Sequence, residues 1–492
     1  MTKASREEIT VDNCAQEQIH IPGSIQSFGY LLAFDENSKI TRASENIARI
    51  TGISAAALVG KNLSEILDPK DLERLDNSGS ELRRRNAILS LKSGEQLGCV
   101  LHSAGKECYL DLVSNKSEGT AIFLAISELS ASLSKASSLE DLARIMVETI
   151  RKVSRFDRVK LYKFDKDWHG EVIAEARDPE MPSYRGMHFP ESDIPKQARE
   201  LYIRNRVRVI ADVEDTQSVI YQHEDARPLD LSFSFIRSVS PIHLQYLRNM
   251  DVRASMSISI FENGEFWGLI ACHHRNARQF DLFESDFYKV AGELLSNRLT
   301  ELHNIETKEL HTEQVLIGQQ MLSSMNNTRS VNAIMEPPHS LDSLIRCTGV
   351  AAVLGEETLK RNAAPDTESL ESLVGWLERG AQNVFQCDDL PSRYNRDIGS
   401  YACGILAVKV TAPSDEPHWL IWFRPEVSLE VDWAGDPFAP KPTAPYGDRL
   451  FPRTSFELWK EKKRGHSVPW TEFEIETAKY LAEVVGTYLM SR

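Results

Sequence analysis

The apolar run SFGYLLAFD is short, rich in aromatic and aliphatic side chains, and followed by the polar turn ENSKI, which predicts a buried strand. In the next stretch, SENIARITGISAAALVGKNLSEIL, Ser44 is placed as an N-cap, Gly52 stops a first short helix and a second ends near Gly60. CYLDLVSNK and GTAIFLAIS read as a closing strand pair that turns at Gly119. Residues 27–127 therefore predict a five-stranded antiparallel sheet with small helices on one side.

The period then changes. SLEDLARIMVETIRKVSRF carries Leu142, Ile145, Met146, Ile150 and Val153 at helical spacing and predicts an amphipathic helix. DRVKLYKFDKDWHGEVIAEA reads as a hairpin, and MSISIFENGEFWGLIACHH as a second one turning at Asn263-Gly264. From Leu282 to about Met325 no proline interrupts a helical stretch with Phe287, Val290, Leu294, Leu302 and Ile305 as an intermittent stripe. Such a helix joins domains and pairs with a second copy, or packs on its own domain. Residues 326–470 form a further domain whose later part holds a proline-rich excursion with Pro437, Pro440, Pro442, Pro445 and Pro452. The last helix, with Ala478, Leu481, Val485 and Tyr488 at heptad-like spacing, runs off without a cap, as expected where a further module follows. The fold class is α+β, in consecutive domains.

A chain of 492 residues with net charge −15 and pI near 5.5 lacks the basic surface that nucleic acid requires, so no nucleic-acid partner is expected. No apolar run reaches membrane-spanning length and no signal peptide opens the chain, which leaves no membrane partner and a cytoplasmic location. Seven cysteines without paired spacing read as reduced thiols, with Cys272 and Cys403 in cores. Cys14, on the leader ahead of the first strand, is a thiol without an evident structural task.

The second domain holds the candidate chemistry. In MSISI, Ser255, Ser257 and Ser259 face one way and Met256, Ile258 and Ile260 the other. With Arg208, Arg237 and His243 these hydroxyls suit carboxylates, and Tyr162, Phe189, Tyr202, Tyr246 and Met250 suit a flat apolar ligand. His273 and His274 are adjacent and point to opposite faces, so no metal site is expected. No phosphate loop, nucleophile elbow or zinc-protease motif occurs, and nothing in these residues proposes a catalytic reaction.

The first domain's pattern resembles a PAS domain and the second a GAF domain. FPESDIPKQARELY with Asp193-Ile194-Pro195, LDLSFSFIRSVSPIHLQYLRNM, WGLIACHH and the later FPRTSF together resemble the phytochromes, in the order PAS, GAF, PHY over nearly the whole chain. The resemblance places a leader at 1–26, PAS at 27–127, GAF at 128–302, and PHY at 303–492 with a tongue hairpin at about 425–470. It implies a bacteriophytochrome photosensory module that switches between red- and far-red-absorbing forms. The cofactor would be biliverdin IXα, held through a thioether to Cys14 and isomerising at C15=C16 of ring D. Relatives that use reduced bilins attach them through a cysteine just before the pocket histidine, where this chain has Ile242.

By the same resemblance, Arg208, Arg237 and Tyr202 hold one propionate, and Ser255, Ser257 and His243 the other. The Asp193 carbonyl and His243 receive the pyrrole N–H groups, and His273 bonds the ring D carbonyl. Tyr162, Phe189 and Tyr246 surround ring D, with Ile194, Pro195, Ser240 and Met250 as further pocket residues. Arg453 of the tongue pairs with Asp193 in one state, and Ser455 takes over near Asp193 in the other while the segment SFELWKEKKRG becomes helical. Ile25 lies near a crossing of the leader through a second-domain loop. Implied partners are a second copy, in a homodimer through the long helices, and a C-terminal output domain, a histidine kinase or a diguanylate cyclase. Two departures stand out: Ser27-Phe28 replaces a commoner Pro-His, and Asp251 stands where glycine is usual, a position that suits Asp if φ is positive. The alternative is a generic PAS–GAF sensor of haem or a cyclic nucleotide, or a dimerisation scaffold.

Overall fold

The computed structural model describes residues 2–3, 17–75, 84–104, 107–115, 119–394, 398, 401–439 and 452–491. They fall into two units, one covering 1–302 with 432–459 and the other 303–431 with 460–492. Cys14 lies outside the described residues.

The sheet of the first domain runs Ile40–Ser44, Gly29–Asp35, Glu107–Ser114, Gln96–Ala104, Arg84–Ser90, all antiparallel. Ser218–Gln222 from the second domain extends its edge, pairing Ile220 with Ser44. The stretch GTAIFLAIS is not a strand: Gly119–Leu133 is one α-helix. Ile122, Ala125, Ile126, Leu129 and Leu133 recur at three- and four-residue steps and pack into the second domain's core. Read only as far as Ser127, the segment shows continuous apolarity, which does not distinguish strand from helix.

The second domain's sheet is ordered Val207–Ile210, Ala254–Glu262, Glu265–His274, Arg158–Phe164, Gly170–Arg177, His188–Phe189, then Leu429–Ala434 and Leu458–Lys463. The expected amphipathic helix is Leu139–Ser154, capped by Ser138, with Leu142, Met146 and Ile150 buried. Both expected hairpins form, the second turning at Asn263 (φ 50°) and Gly264 (φ 85°). Ser24–Ile25 of the leader pairs with Ser218–Val219, and Ile25, fully buried, also bridges Arg237. The long helix is continuous from Leu282 to Thr328. Phe287 is fully buried, Leu294 and Leu302 pack against the same core, and Ile305 is exposed.

In the second unit, Glu357–Asn362, Gly349–Leu354, His418–Arg424, Gly404–Lys409 and Val384–Cys387 form an antiparallel sheet in that order. The final helix, Glu472–Met490, opens with a capping box of Thr471 and Glu474. Its stripe of Ala478, Leu481, Val485 and Tyr488 is buried in this unit's own core. Cys272 and Cys403 are buried as expected.

One buried polar cluster ties the first sheet to the second domain. The Asp111 carboxylate accepts from His102 (3.0 Å), the Ser234 hydroxyl (2.9 Å) and the Phe235 amide (2.7 Å), with no exposure to solvent. Asp111→Ala leaves three buried donors without an acceptor, and we expect a loss of about 3 kcal/mol in denaturant unfolding. A loss below about 1 kcal/mol would show that water replaces the carboxylate.

Candidate functional site

Strand alternation builds the site. Val159, Leu161, Met256, Ile258, Ile270 and Cys272 pack toward the helices, so the residues between them lie on the opposite face. On that face a cavity of about 860 Å³ opens, within the size range of cofactor sites. Ser255 and Ser257 line its floor, and Arg208 stands in register with Ser257 on the neighbouring strand. Ser259 shares the serine face but is spent on the Tyr202 carbonyl (2.7 Å).

The floor carries uncompensated positive charge. Arg208 donates once to the Ser238 carbonyl (2.9 Å), but its Nη1 has no acceptor; neither Nε nor Nη1 of the buried Arg237 has one either. Burial pulls the Arg237 guanidinium down to about 10. Burial, with Arg237 alongside, pulls Arg208 well below its ordinary value. Both side chains line the cavity with Tyr202, Ser240 and His243.

His243, on the helix Pro241–Asn249, has its pKa lowered to about 4 by burial and by Arg208. Its imidazole is therefore neutral near pH 7 and able both to donate and to accept. His273 is held well below the usual histidine range by burial, with Lys160, Arg158 and His243 adding to the effect, and its buried Nδ1 has no partner.

The opposite wall comes from Asp193-Ile194-Pro195 and from described residues of the returning segment, within 435–439 and 452–459. Asp193 pairs with Arg453 and accepts from the Tyr246 hydroxyl at 3.0 Å. Burial pushes its carboxyl pKa up, against the opposing pull of Arg453 and Tyr246. Arg453 also donates to the Ala434 carbonyl, and its own carbonyl accepts from Asn249 (2.8 Å). Gly435 has φ +85°, and a Cβ there would stand 2.3 Å from the Ser455 carbonyl oxygen, so the segment turns back only on glycine. Ser455 lines the cavity, and Leu458–Lys463, the part with helical composition, is a strand here.

Tyr162, Phe189, Met250 and His273 do not line the open cavity; the first three sit in an apolar cluster with Ile194 and Tyr246 packed against it. The Tyr162 and Phe189 rings lie 5.9 Å apart, and Tyr162 covers Gly170, where a Cβ would overlap the ring. Asp251 has φ +56°, the left-handed conformation anticipated for it. Among the described residues no cluster of three metal-ligating side chains occurs, and no helix is long and apolar enough to cross a membrane. Sequence reasoning missed Glu17, which accepts from Ser240 (2.8 Å), and Lys160, which faces the site two positions before Tyr162. Strand alternation alone was enough to find the lysine.

An acidic loop, a cationic floor and a returning arm thus surround one cavity of cofactor size. Family models match three regions: "PAS fold" at 14–115, "GAF domain" at 138–299 and "Phytochrome region" at 314–492. Cyanobacterial phytochrome B of Nostoc sp. is 32% identical over 98% of this chain and 67% of its own length. A bacteriophytochrome of Pseudomonas aeruginosa is 32% identical over 96% of this chain and 66% of its own. The photosensory core module of Stigmatella aurantiaca phytochrome superposes with TM-score 0.85 at 34% identity, over 99% of this chain and all of the other. The chain belongs to the phytochrome family of bilin-binding photoreceptors, and it spans about two thirds of the length of these curated relatives.

The Asp193–Arg453 pair generates a prediction. Arg453→Ala leaves a buried carboxylate without its cation, which should cost about 3 kcal/mol. Amide exchange of residues 452–459 in the unilluminated protein should then rise roughly a hundredfold. Unchanged exchange would mean that other contacts hold the segment.

Proposed function

We propose that this chain is the photosensory part of a bacteriophytochrome that carries biliverdin IXα, attached to Cys14, and reports red and far-red light. The observation that carries this reading is the pair of guanidiniums, buried Arg237 and half-buried Arg208, with buried N–H groups that lack acceptors. Buried charge of one sign calls for an anion, and two arginines beside serine hydroxyls fit carboxylates on a flat molecule. A bilin has this chemistry, with two propionates on a conjugated tetrapyrrole. When bound, it supplies light absorption and, by Z/E isomerisation of C15=C16, the initial displacement.

The chain's residues then bind and orient it. Arg208, Arg237 and Tyr202 take one propionate, and Ser255, Ser257 and His243 the other. His243, neutral by burial, and the Asp193 carbonyl receive pyrrole N–H groups. His273 offers a donor to the ring D carbonyl, and Tyr162, Phe189, Tyr246 and Met250 confine that ring. Ile194, Pro195 and Ser240 complete the wall. Ile242 lines the cavity and leaves no thiol at that position, and Cys272 faces the helix-side core, with burial pushing its thiol pKa up. Among the described cysteines none lines the cavity, which favours Cys14 as the anchor and biliverdin as the pigment. Arg453 leaving Asp193, with Ser455 replacing it, would release the tongue and pass the change to the long helix. A homodimer through that helix, a cytoplasmic location and a C-terminal output domain, a histidine kinase or a diguanylate cyclase, complete the reading.

Mass spectrometry after denaturation should find biliverdin on the Cys14 peptide, and Cys14→Ser should bind the pigment but release it in denaturant. An adduct on another cysteine would overturn the anchor. Arg237→Ala removes a charged hydrogen bond of about 1.5–3 kcal/mol, so assembly should weaken roughly ten- to hundredfold. Ring D photochemistry should remain. Unaltered uptake would remove Arg237 from the clamp.

A further inference from the structure

Lys160 is a cation for which the site as described has no task. It lies on the strand Arg158–Phe164, between Arg158 and Tyr162 on the cavity face, and is only 5% exposed. Its Nζ stands 4.4 Å from the centroid of Phe189 and 5.1 Å from that of Tyr184. Among the described residues no carboxylate forms an ion pair with it. Its cross-strand neighbour Glu175 is already committed to Arg158 (3.2 Å), the Ser183 hydroxyl (2.6 Å), the Tyr184 amide (3.2 Å) and, more distantly, Arg177 (3.7 Å). A buried ammonium without a counter-ion is costly, and proteins keep one where a second arrangement uses it.

The groups that such a second arrangement would use lie around Phe189. Arg453 stands over the same ring, its Cζ 5.8 Å from the centroid, while its guanidinium holds Asp193. Two cations thus flank one aromatic side chain beside one carboxylate, and only one of them is paired. Building on the tongue reading above, we propose that Lys160 is the second counter-cation of Asp193, a positioning residue that takes the carboxylate when Arg453 leaves it. The hydroxyls of Ser455 and Tyr246 supply no charge in place of the guanidinium. Lys160, on the same face of the sheet, is near enough to feel the charge of Asp193.

The exchange of partners is linked to a proton. With Arg453 docked, burial and the cation Arg158 pull Lys160 down to about 7, Arg453 adds to that pull, and Glu175 and Asp193 oppose it. His273 and Tyr184 are the remaining titratable groups around it. When Arg453 withdraws, one repelling cation is lost and Asp193 becomes available, so the lysine's pKa rises. The withdrawn state therefore holds the proton more tightly. It gains relative to the docked state as pH falls toward 7 and levels off below, where both states are protonated.

The test uses the pigment-loaded chain, following the thermal return of the photoproduct between pH 6 and pH 9. In the unaltered protein the return should slow roughly tenfold from pH 9 to pH 7. Lys160→Met should return fast at every pH, and Lys160→Arg, charged throughout, slowly at every pH. A Lys160→Met protein that keeps the original pH profile overturns the assignment, as does a Lys160→Arg protein that behaves like Lys160→Met. Amide exchange of residues 452–459 before and after illumination separates two failures. A segment that does not respond to light removes the tongue reading and this assignment together. A segment that responds while the pH profile survives Lys160→Met removes this assignment alone.

Discussion

A carboxylate taken out of water needs a cation, and the architecture around the cavity follows from that requirement at Asp193. Its side chain is 7% exposed, and its partner, Arg453, comes from 260 positions later in the chain. The chain leaves the domain, builds a second unit and returns before it supplies this partner. The return segment in turn depends on Gly435 for its reversal and on Asn249 for a backbone anchor. One buried charge therefore helps to hold the segment around Arg453 against the cavity. A contact of this kind suits a switch, because the pair is strong when made and leaves a large penalty when broken.

The floor of the cavity obeys the same rule with the opposite sign. Arg237 lowers the proton affinity of Arg208, and N–H groups of both guanidiniums are left without acceptors among the described residues. An anion that bound there, and only in the folded state, would add to folding stability. The serine face follows the same logic. Ser255 and Ser257 supply hydroxyls on a rigid central strand whose other face is locked by Met256, Ile258 and Ile260.

Much of this was legible in the residues because strand alternation is a strict rule. MSISI announced its two faces and Asn263-Gly264 its turn. GTAIFLAIS was misread because a window of nine apolar and small residues fits either period, and the helical spacing appears only when Leu129 and Leu133 are included. The Asp193–Arg453 pair had no local signal at all; it was anticipated from family likeness, since no periodicity links residues so far apart. Lys160 escaped notice because VKLYKF reads as an ordinary half-exposed strand. The cost of that lysine becomes apparent only when the loop carrying Phe189 and the segment carrying Arg453 cover it.

The leader adds a last constraint. Gln26 is 2% exposed; its amide donates to the carbonyls of Val209 (2.9 Å) and Arg237 (3.1 Å) and accepts from the Ala211 amide (2.9 Å). One side chain thereby fixes the backbone beside Arg208 and the backbone of Arg237. The leader that carries Cys14, twelve positions upstream, is stitched to the same two segments that hold the guanidiniums. The described leader and the two arginines thus share a frame, and movement of the floor relative to the leader would disturb both at once.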